Sequence, residues 1–169
     1  LRFGGIDVVH YPLTVPVPPL HARVAITLHD VQHLDLPGMF SRAERSFRKL
    51  AYDRAARHAD TVIVPSAFVR ERAVELLDLD PDRVRVIHHG LDHELFRPAD
   101  EKRERFLLYP AKLWPHKNHE RLLEAFALLR REQPDLRLVL TGGGTERLGG
   151  PPGVEARGAL PLAELVELY

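Results

Sequence analysis

The stretch YPAKLWPHKNHERLLEAF, residues 109–126, decides the fold. An apolar run gives way to a polar segment and then to apolar residues at helical spacing, which predicts a strand end, a short loop and a helix. Three basic side chains, Lys112, His116 and Lys117, lie in the loop beside Trp114, the only tryptophan. The pattern indicates either a solvated turn or an anion site between a strand and a helix.

The composition is that of a globular domain with a substantial core. The chain has 169 residues, of which 44% are hydrophobic and 28% charged. Lys+Arg and Asp+Glu both number 24, so attraction for anions must be local, and nucleic acid is not a predicted partner. The absence of cysteine excludes disulfides and thiolate chemistry and is compatible with a cytoplasmic location, which we predict.

Short apolar runs alternate with helical patterns along the whole chain. Strands are predicted at 6–9, 24–28, 61–64, 84–87, 106–109 and 137–141. They are apolar throughout, as are strands buried on both faces of a parallel sheet. The alternation of strands and helices predicts an α/β, doubly wound fold.

Helices are predicted between the strands from their start signals. They are 41–58 with Ser41 as N-cap, Ser66 to about Leu77, 119–131 with Asn118 as N-cap, and a last helix from near Pro161. The predicted buried face of the first helix contains Ala43, Phe47, Leu50, Ala51 and Ala55, and that of the third contains Leu122, Ala125, Phe126 and Leu129.

The helix predicted at 41–58 is rich in basic side chains. They are Arg42, Arg45, Arg48, Lys49, Arg54 and Arg57, with Glu44 and Asp53 as the acidic residues among them. Such a helix is more often the solvated face of a core helix than a membrane contact. The alternative is that it lies on an anionic membrane, which predicts a peripheral position at the inner membrane face.

Residues 90–105, GLDHELFRPADEKRER, interrupt the alternation with glycine, proline and a run of charges. We predict a domain junction here, with one domain over 1–91, a linker over 92–105 and the start of a second domain over 106–169. A long surface loop is the alternative.

Ligands bind outside the carboxyl ends of strands in open α/β sheets, so the loops that follow strands are the candidate sites. In the loop after 106–109, Lys112 and Lys117 precede the helix that Asn118 caps. Two ammonium groups beside a helix N-terminus suit a diphosphate, whereas a solvated turn is the alternative.

Three other loops carry weaker signals. After 24–28, His29, Asp30 and His33 suggest a metal, acid–base or substrate contact, although a further metal ligand is lacking and Asp30 could cap a turn. After 84–87, one of His88 and His89 is predicted buried and the other exposed, and Gly90 permits close backbone approach or positive φ. The glycine run 142–144 does not fit a dinucleotide fingerprint and reads as a tight turn or a ligand contact.

In this order and spacing the segments resemble retaining glycosyltransferases of family 4, which have the GT-B fold. The landmarks are TLHD (27–30), ADTVIVPSAFVRE (59–71), VRVIHHGLDHELFRP (84–98), LLYPAKLWPHKNHERLLEAFALL (107–129), LRLVLTGGG (136–144) and VEARGALPLAELVELY (154–169). The resemblance implies two Rossmann-like parallel-sheet domains, both incomplete here. The N-terminal domain would bind the acceptor and the C-terminal domain the nucleotide-sugar donor.

The resemblance also implies roles for individual residues. Lys112 and Lys117 match the basic pair that holds the donor diphosphate and are the predicted catalytic residues, so neither a metal nor another cofactor is expected. Lys112 stands where the family has Arg, which keeps the charge but loses the bidentate fork. His29 matches a histidine near the transferred sugar. The predicted substrate-binding residues are His29, Asp30, Gly90, His116, Asn118, Gly142 and Gly143.

The turn that contains Gly90 departs from the family pattern. The family has Asn-Gly-Val-Asp, and this chain has His-Gly-Leu-Asp from His89 to Asp92. Two family features are expected outside residues 1–169, namely a glycine-rich loop before Leu1 and a Glu-x7-Glu motif beyond Tyr169. The spacing of Glu155 and Glu164 does not match that motif, so we predict a fragment that is inactive by itself.

The implied activity is transfer of a hexose, with retention, from a nucleotide-diphosphate sugar to a glycan or lipid-linked acceptor. The aromatic loop that contains Trp114 favours a mannose-type sugar on GDP. No pair of flanking carboxylates is evident, which favours transfer over glycoside hydrolysis. Two alternatives stay open: a non-catalytic nucleotide- or phosphate-binding α/β domain, and a nucleotide-sugar epimerase of the same fold.

Overall fold

The computed structural model describes residues 5–18, 22–98 and 104–169. The chain divides into two compact units, Leu1–Gly90 and Leu91–Tyr169, and each contains a parallel sheet. The predicted α/β fold class is thereby confirmed.

The assignment of roles to the domains stays a prediction. Part of the predicted linker 92–105 (residues 99–103) lies outside the described residues. At the start of that segment, Asp92 Oδ1 accepts hydrogen bonds from the backbone N–H groups of Glu94 (2.9 Å) and Leu95 (3.2 Å), which form a local turn.

The first unit contains four parallel strands in the order β1-β2-β3-β4. The strands are β1 Val8–Tyr11, β2 Arg23–Thr27, β3 Thr61–Val64 and β4 Val84–Val86. The helices are α1 Gln32–Asp35, α2 Arg42–Arg48, α3 Arg54–His58 and α4 Ala67–Leu77, with a π-helical segment at Lys49–Asp53 and 3₁₀ turns at Pro37–Met39 and Pro81–Arg83. Ile26 is paired with Val62, and Val62 with Val84, and these buried β-branched side chains form the centre of the core.

The second unit contains three parallel strands in the order β5-β6-β7. They are β5 Phe106–Pro110, β6 Arg137–Thr141 and β7 Val154–Ala156, with helices α5 His119–Glu132 and α6 Leu162–Val166 and 3₁₀ turns at Pro115–Lys117 and Thr145–Arg147. Phe126 of α5 packs with Leu136, Leu138 and Leu140. The sequence did not predict β7, because three residues between turn segments carry too little periodic pattern.

The predicted helix starts are confirmed. Ser66 Oγ accepts a hydrogen bond from the Val69 N–H at 3.2 Å, and Ser41 forms a capping box with Glu44. Asn118 Oδ1 accepts a hydrogen bond from Arg121 N–H at 3.4 Å at the start of α5, and α6 begins directly after Pro161.

The predicted buried face of 41–58 is wrong over its first half. Ala43 is exposed, and Phe47 and Leu50 are 59% and 68% exposed, whereas Asp53, expected on the solvated face, is buried. The cause is the π-helical segment Lys49–Asp53, because one extra residue in a helical turn offsets the side chains before it from those after it by about 100°, so both halves of the predicted helix cannot share one buried face. Ala55 is buried as predicted.

Two smaller differences also have local causes. The first strand begins at Val8, two residues later than the predicted 6–9, because it pairs with β2 through to Tyr11, whose side chain is buried. On α5, Ala125 is exposed and Leu123 packs in the core beside Leu122 and Leu129.

Within the described ranges, no helix is both long and apolar enough to cross a bilayer.

Candidate functional site

The loop after β5 is held in place by backbone hydrogen bonds to the end of β6 and the loop that follows it. The Ala111 N–H donates to the Thr141 carbonyl at 2.8 Å, and the Leu113 N–H donates to the Gly143 carbonyl at 3.1 Å. The segment that carries Lys112 therefore lies against the glycine run, at the carboxyl edge of the second sheet.

Gly142 makes this close approach possible. Its φ is +118°, and a Cβ atom at this position would lie 2.6 Å from the carbonyl carbon and oxygen of Ala111. Gly143 has neither constraint, since a Cβ there would meet open space. Packing thus explains Gly142, and the predicted substrate contact of both glycines stays a prediction.

Two buried or half-buried rings hold the rest of the loop. The Tyr109 hydroxyl donates to the Lys117 carbonyl at 2.7 Å, and His119 Nε2–H donates to the Ala111 carbonyl at 3.2 Å. The two rings meet edge to face with centroids 5.2 Å apart. Neither residue was singled out from the sequence. The available signals were their positions, since Tyr109 lies at the end of a strand and His119 in the first turn of a helix.

The two lysines remain available to an external anion. The Lys112 ammonium lies 5.2 Å from the centroid of the Trp114 ring, which is half exposed, and in the described part of the chain neither Lys112 nor Lys117 forms a salt bridge. Both precede the first turn of the 14-residue helix α5, whose free N–H groups and dipole add positive potential.

The neighbouring side chains complete this loop. His116 lies beside Trp114, with ring centroids 5.6 Å apart. Asn118 adopts a left-handed backbone conformation with φ of 51° and caps α5 with its side chain. Capping explains Asn118 structurally, and contacts of either residue with a substrate stay predictions.

The corresponding loop in the first unit, after β2, has its polar groups engaged internally. His29 Nε2–H donates to the Pro12 carbonyl at 2.9 Å, and the His29 ring stacks on His89 with centroids 5.6 Å apart and planes 16° apart. His88 Nδ1–H donates to the Pro65 carbonyl at 2.9 Å.

The prediction that one of the two adjacent histidines is buried is wrong. Both His88 and His89 are exposed, because β4 ends at Val86 and they lie in the loop beyond the strand. The positive φ that was one alternative for Gly90 is also absent, whereas its predicted contact with the substrate stays a prediction. Its φ is outside the left-handed region and a Cβ there would meet no atom within 4 Å, so this backbone does not require glycine.

Asp30 caps a local turn, as one of its predicted roles required. Its Oδ1 accepts from the Gln32 N–H at 3.0 Å and from Arg48 Nη1 at 3.1 Å. The Arg48 guanidinium also lies over the rings of Phe40 and Tyr52, at 4.7 and 5.1 Å from their centroids. These contacts border an open groove of about 390 Å³, which is lined by Leu13, Thr14, Val15, Val17, His29, Asp30, Phe47, Arg48 and Tyr52.

His33 does not join His29 and Asp30 in a site. Its Nε2 lies 2.8 Å from Asp53 Oδ1, and both side chains are only 1–2% exposed. The pair connects α1 to the π-helical segment and is structural. In the part of the chain that the structure describes, no group of three or more His, Cys, Asp or Glu side chains is arranged to hold a metal ion.

The structure is thus an α/β protein in which a basic loop precedes the N-terminus of helix α5. Two protein-family models match this chain and identify the class of protein to which it belongs. Residues 1–95 match the family described as "Glycosyltransferase Family 4", and residues 92–149 match "Glycosyl transferases group 1". The chain therefore belongs to the family 4 glycosyltransferases, which confirms the family resemblance.

The curated relatives include two proteins with the name "D-inositol 3-phosphate glycosyltransferase". The protein from Nocardioides sp. is 30% identical over 132 residues, which cover 72% of this chain and 28% of the relative. The protein from Frankia alni is 34% identical over 122 residues, which cover 66% of this chain and 29% of the relative. The chain thus spans less than a third of the length of these relatives.

A solved structure supports the same fold. The crystal structure of Anabaena HepE in complex with UDP-glucose aligns with a TM-score of 0.59 at 21% identity, covering 83% of this chain and 43% of HepE. At this identity the similarity shows the fold, and the GT-B class predicted from the sequence is confirmed.

Proposed function

We propose that this chain is part of a retaining glycosyltransferase that transfers a hexose from a nucleotide-diphosphate sugar to a glycan or lipid-linked acceptor. The observation that carries the proposal is the loop of Lys112 and Lys117. Its backbone is held by neighbouring strands and rings, while its two ammonium groups lack an ion-pair partner among the described residues. Family membership makes a donor diphosphate the anion of choice.

In this proposal the two lysines act on the leaving group. Negative charge develops on the nucleotide diphosphate as its bond to the sugar breaks, and preorganised cations lower the energy of that transition state. The N–H groups of the first turn of α5 add further positive potential. Lysines and a helix end can do this without a metal ion, so the proposal requires none.

The donor is proposed to be a GDP-sugar of the mannose type, from the aromatic loop around Trp114. The HepE structure contains UDP-glucose, which makes a UDP-hexose the competing donor. The relatives named for D-inositol 3-phosphate make a phosphorylated cyclitol an additional acceptor to test. Competition between GDP- and UDP-sugars in one transfer assay would identify the donor base.

The decisive experiment is Lys117→Ala in the full-length protein. We expect sugar transfer to fall by about 10²–10³-fold, the loss typical of removing one stabilising group from a charged transition state, with the unfolding transition unchanged. Arg131→Ala is the matched control, because it removes a cation from the last turn of the same helix. Near-normal transfer by Lys117→Ala would contradict the diphosphate assignment.

The same assay separates the two alternatives. A protein that binds the nucleotide sugar but transfers nothing would be a non-catalytic binding domain. A protein that converts one nucleotide sugar into its epimer without an acceptor would be an epimerase.

We also propose that the enzyme is cytoplasmic and contacts the inner face of the membrane through α2 and the π-helical segment. Phe47 and Leu50 are exposed there, beside the exposed cations Arg45 and Lys49. Leu50→Ser should lower sedimentation with vesicles that contain anionic lipid. Leu128→Ser, at a 59% exposed leucine of α5, is the matched control. Equal sedimentation of both variants and the unaltered protein would refute this contact.

A further inference from the structure

Two adjacent histidines join three loops at the carboxyl edge of the first sheet. His88, after β4, donates Nδ1–H to the carbonyl of Pro65 in the loop after β3. His89 instead stacks on His29 in the loop after β2, with planes only 16° apart. The two imidazoles of one dipeptide therefore contact different loops by different interactions.

The ring of His29 is restrained in two ways. A carbonyl oxygen only accepts hydrogen bonds, so the contact at 2.9 Å with Pro12 requires the proton on Nε2. In the neutral ring this leaves Nδ1 as an acceptor. The hydrogen bond fixes one ring atom but permits rotation about its own direction, and the stacked face of His89 restricts that rotation.

The residue that provides this restraint departs from the family pattern. His89 stands where the family pattern has asparagine before the glycine, and an amide has no aromatic face to stack on an imidazole. No other aromatic ring stacks on His29 in the described ranges. Both rings are exposed, so the consequence of the contact is the orientation of His29 more than the stability of the fold.

We propose that His89 is a positioning residue that orients His29 toward the transferred sugar. The inference rests on the proposed function and on the position near the transferred sugar that the family resemblance implies for His29. The tautomer set by Pro12 directs Nδ1 to accept a hydrogen bond from a sugar hydroxyl, and rotation of the ring would remove this bond. His89 itself does not touch the substrate in this proposal.

Kinetics of three variants of the full-length protein test the role. His89→Ala and His89→Asn should lower kcat about tenfold, because small misplacements of a contact group slow the chemical step, while KM for the donor changes less than about twofold. His89→Phe keeps a flat ring and should restore kcat to within about threefold of the unaltered protein. His88→Asn is the matched control and should leave both constants unchanged.

A second measurement does not depend on sugar transfer. Nitrogen-15 NMR of the imidazole rings should show the Nε2–H tautomer of His29 in every variant, because Pro12 sets it, whereas relaxation of the His29 ring signals should show greater ring motion in His89→Ala than in the unaltered protein or His89→Phe. Unchanged motion of the His29 ring in His89→Ala, or an equal loss of kcat in His89→Phe and His89→Ala, would overturn the inference.

The proposed function fails in a different way. If the unaltered protein transfers no sugar while the motion of the His29 ring still depends on His89, the proposed function is overturned, and the role at the sugar with it, but the positioning contact stands.

Discussion

The loops after β2 and after β5 occupy equivalent positions, each at the carboxyl edge of a parallel sheet, yet their charges are treated in opposite ways. In the first unit the carboxylate of Asp30 is neutralised by Arg48 and bound by the Gln32 N–H. In the second unit Lys112 and Lys117 have no ion-pair partner among the described residues.

The difference supports the proposal that an external anion binds at the second loop. An internally compensated charge offers little to a ligand, because binding would have to replace existing contacts. A cation without a partner on a backbone held by Tyr109, His119 and Gly142 is already organised for an anion. This contrast supports the proposal that the second loop binds the diphosphate, and the proposed role of the first loop is to orient a neutral sugar hydroxyl.

The largest expected effect on stability concerns the buried pair of His33 and Asp53, which anchors the helix α1 that follows the first loop. Asp53→Ala leaves His33 buried without its hydrogen-bond partner, which should lower the free energy of unfolding by about 3 kcal/mol. Urea denaturation of the full-length protein measures it. Glu71→Ala, at an exposed position of α4, should change stability by less than about 0.5 kcal/mol. Equal stability of the two variants would mean that the buried pair does not stabilise the packing of α1 on the π-helical segment.

The next effect tests the backbone support of the second loop. Gly142→Ala places a Cβ against the Ala111 carbonyl at positive φ and should cost about 2 kcal/mol, with weaker donor binding because the Lys112 segment must move. Gly143→Ala, one residue later, has open space and should change stability by less than about 1 kcal/mol. Thermal unfolding and titration with a nucleoside diphosphate measure the two quantities. Identical behaviour of the two variants would show that the close approach does not matter.

The smallest effect concerns pH. Hydrogen bonding to Arg157, and then to Arg137, holds the pKa of the Glu155 carboxyl below its ordinary value of 4.5. The unfolded chain therefore binds a proton more readily, so this stabilisation is present above pH 4.5 and is lost as pH falls through the lower folded pKa. Glu155→Gln should flatten the decline in thermal stability of the second unit below pH 4.5. If Glu155→Gln loses thermal stability below pH 4.5 as steeply as the unaltered protein, other titrating groups cause the acid sensitivity.

Much of the fold could be predicted because local patterns carried it. Continuous apolar runs marked every strand except β7, and Ser41, Ser66 and Asn118 marked helix starts that the structure confirms. The exposure of Phe47 and Leu50 and the burial of Asp53 could not be predicted, since they depend on a π-helical segment that breaks the 3.6-residue period.

The candidate site divides in the same way. Lys112 and Lys117 were recognisable because charged side chains between a strand and a helix stand out in the sequence. Tyr109 and His119 were not, because each acts on a backbone carbonyl that lies eight residues away along the chain. Contacts between a side chain and a distant backbone group leave no periodic signal.

The sequence by itself determined the α/β class, the family and the basic loop, since apolar periodicity, capping residues and motif order are local properties. Only the tertiary structure decided which charged groups are paired, which ring of the two adjacent histidines stacks on His29, and why glycine is required at 142 but not at 90. These depend on distances between segments far apart in the chain, and such distances are set only when the sheets and helices pack.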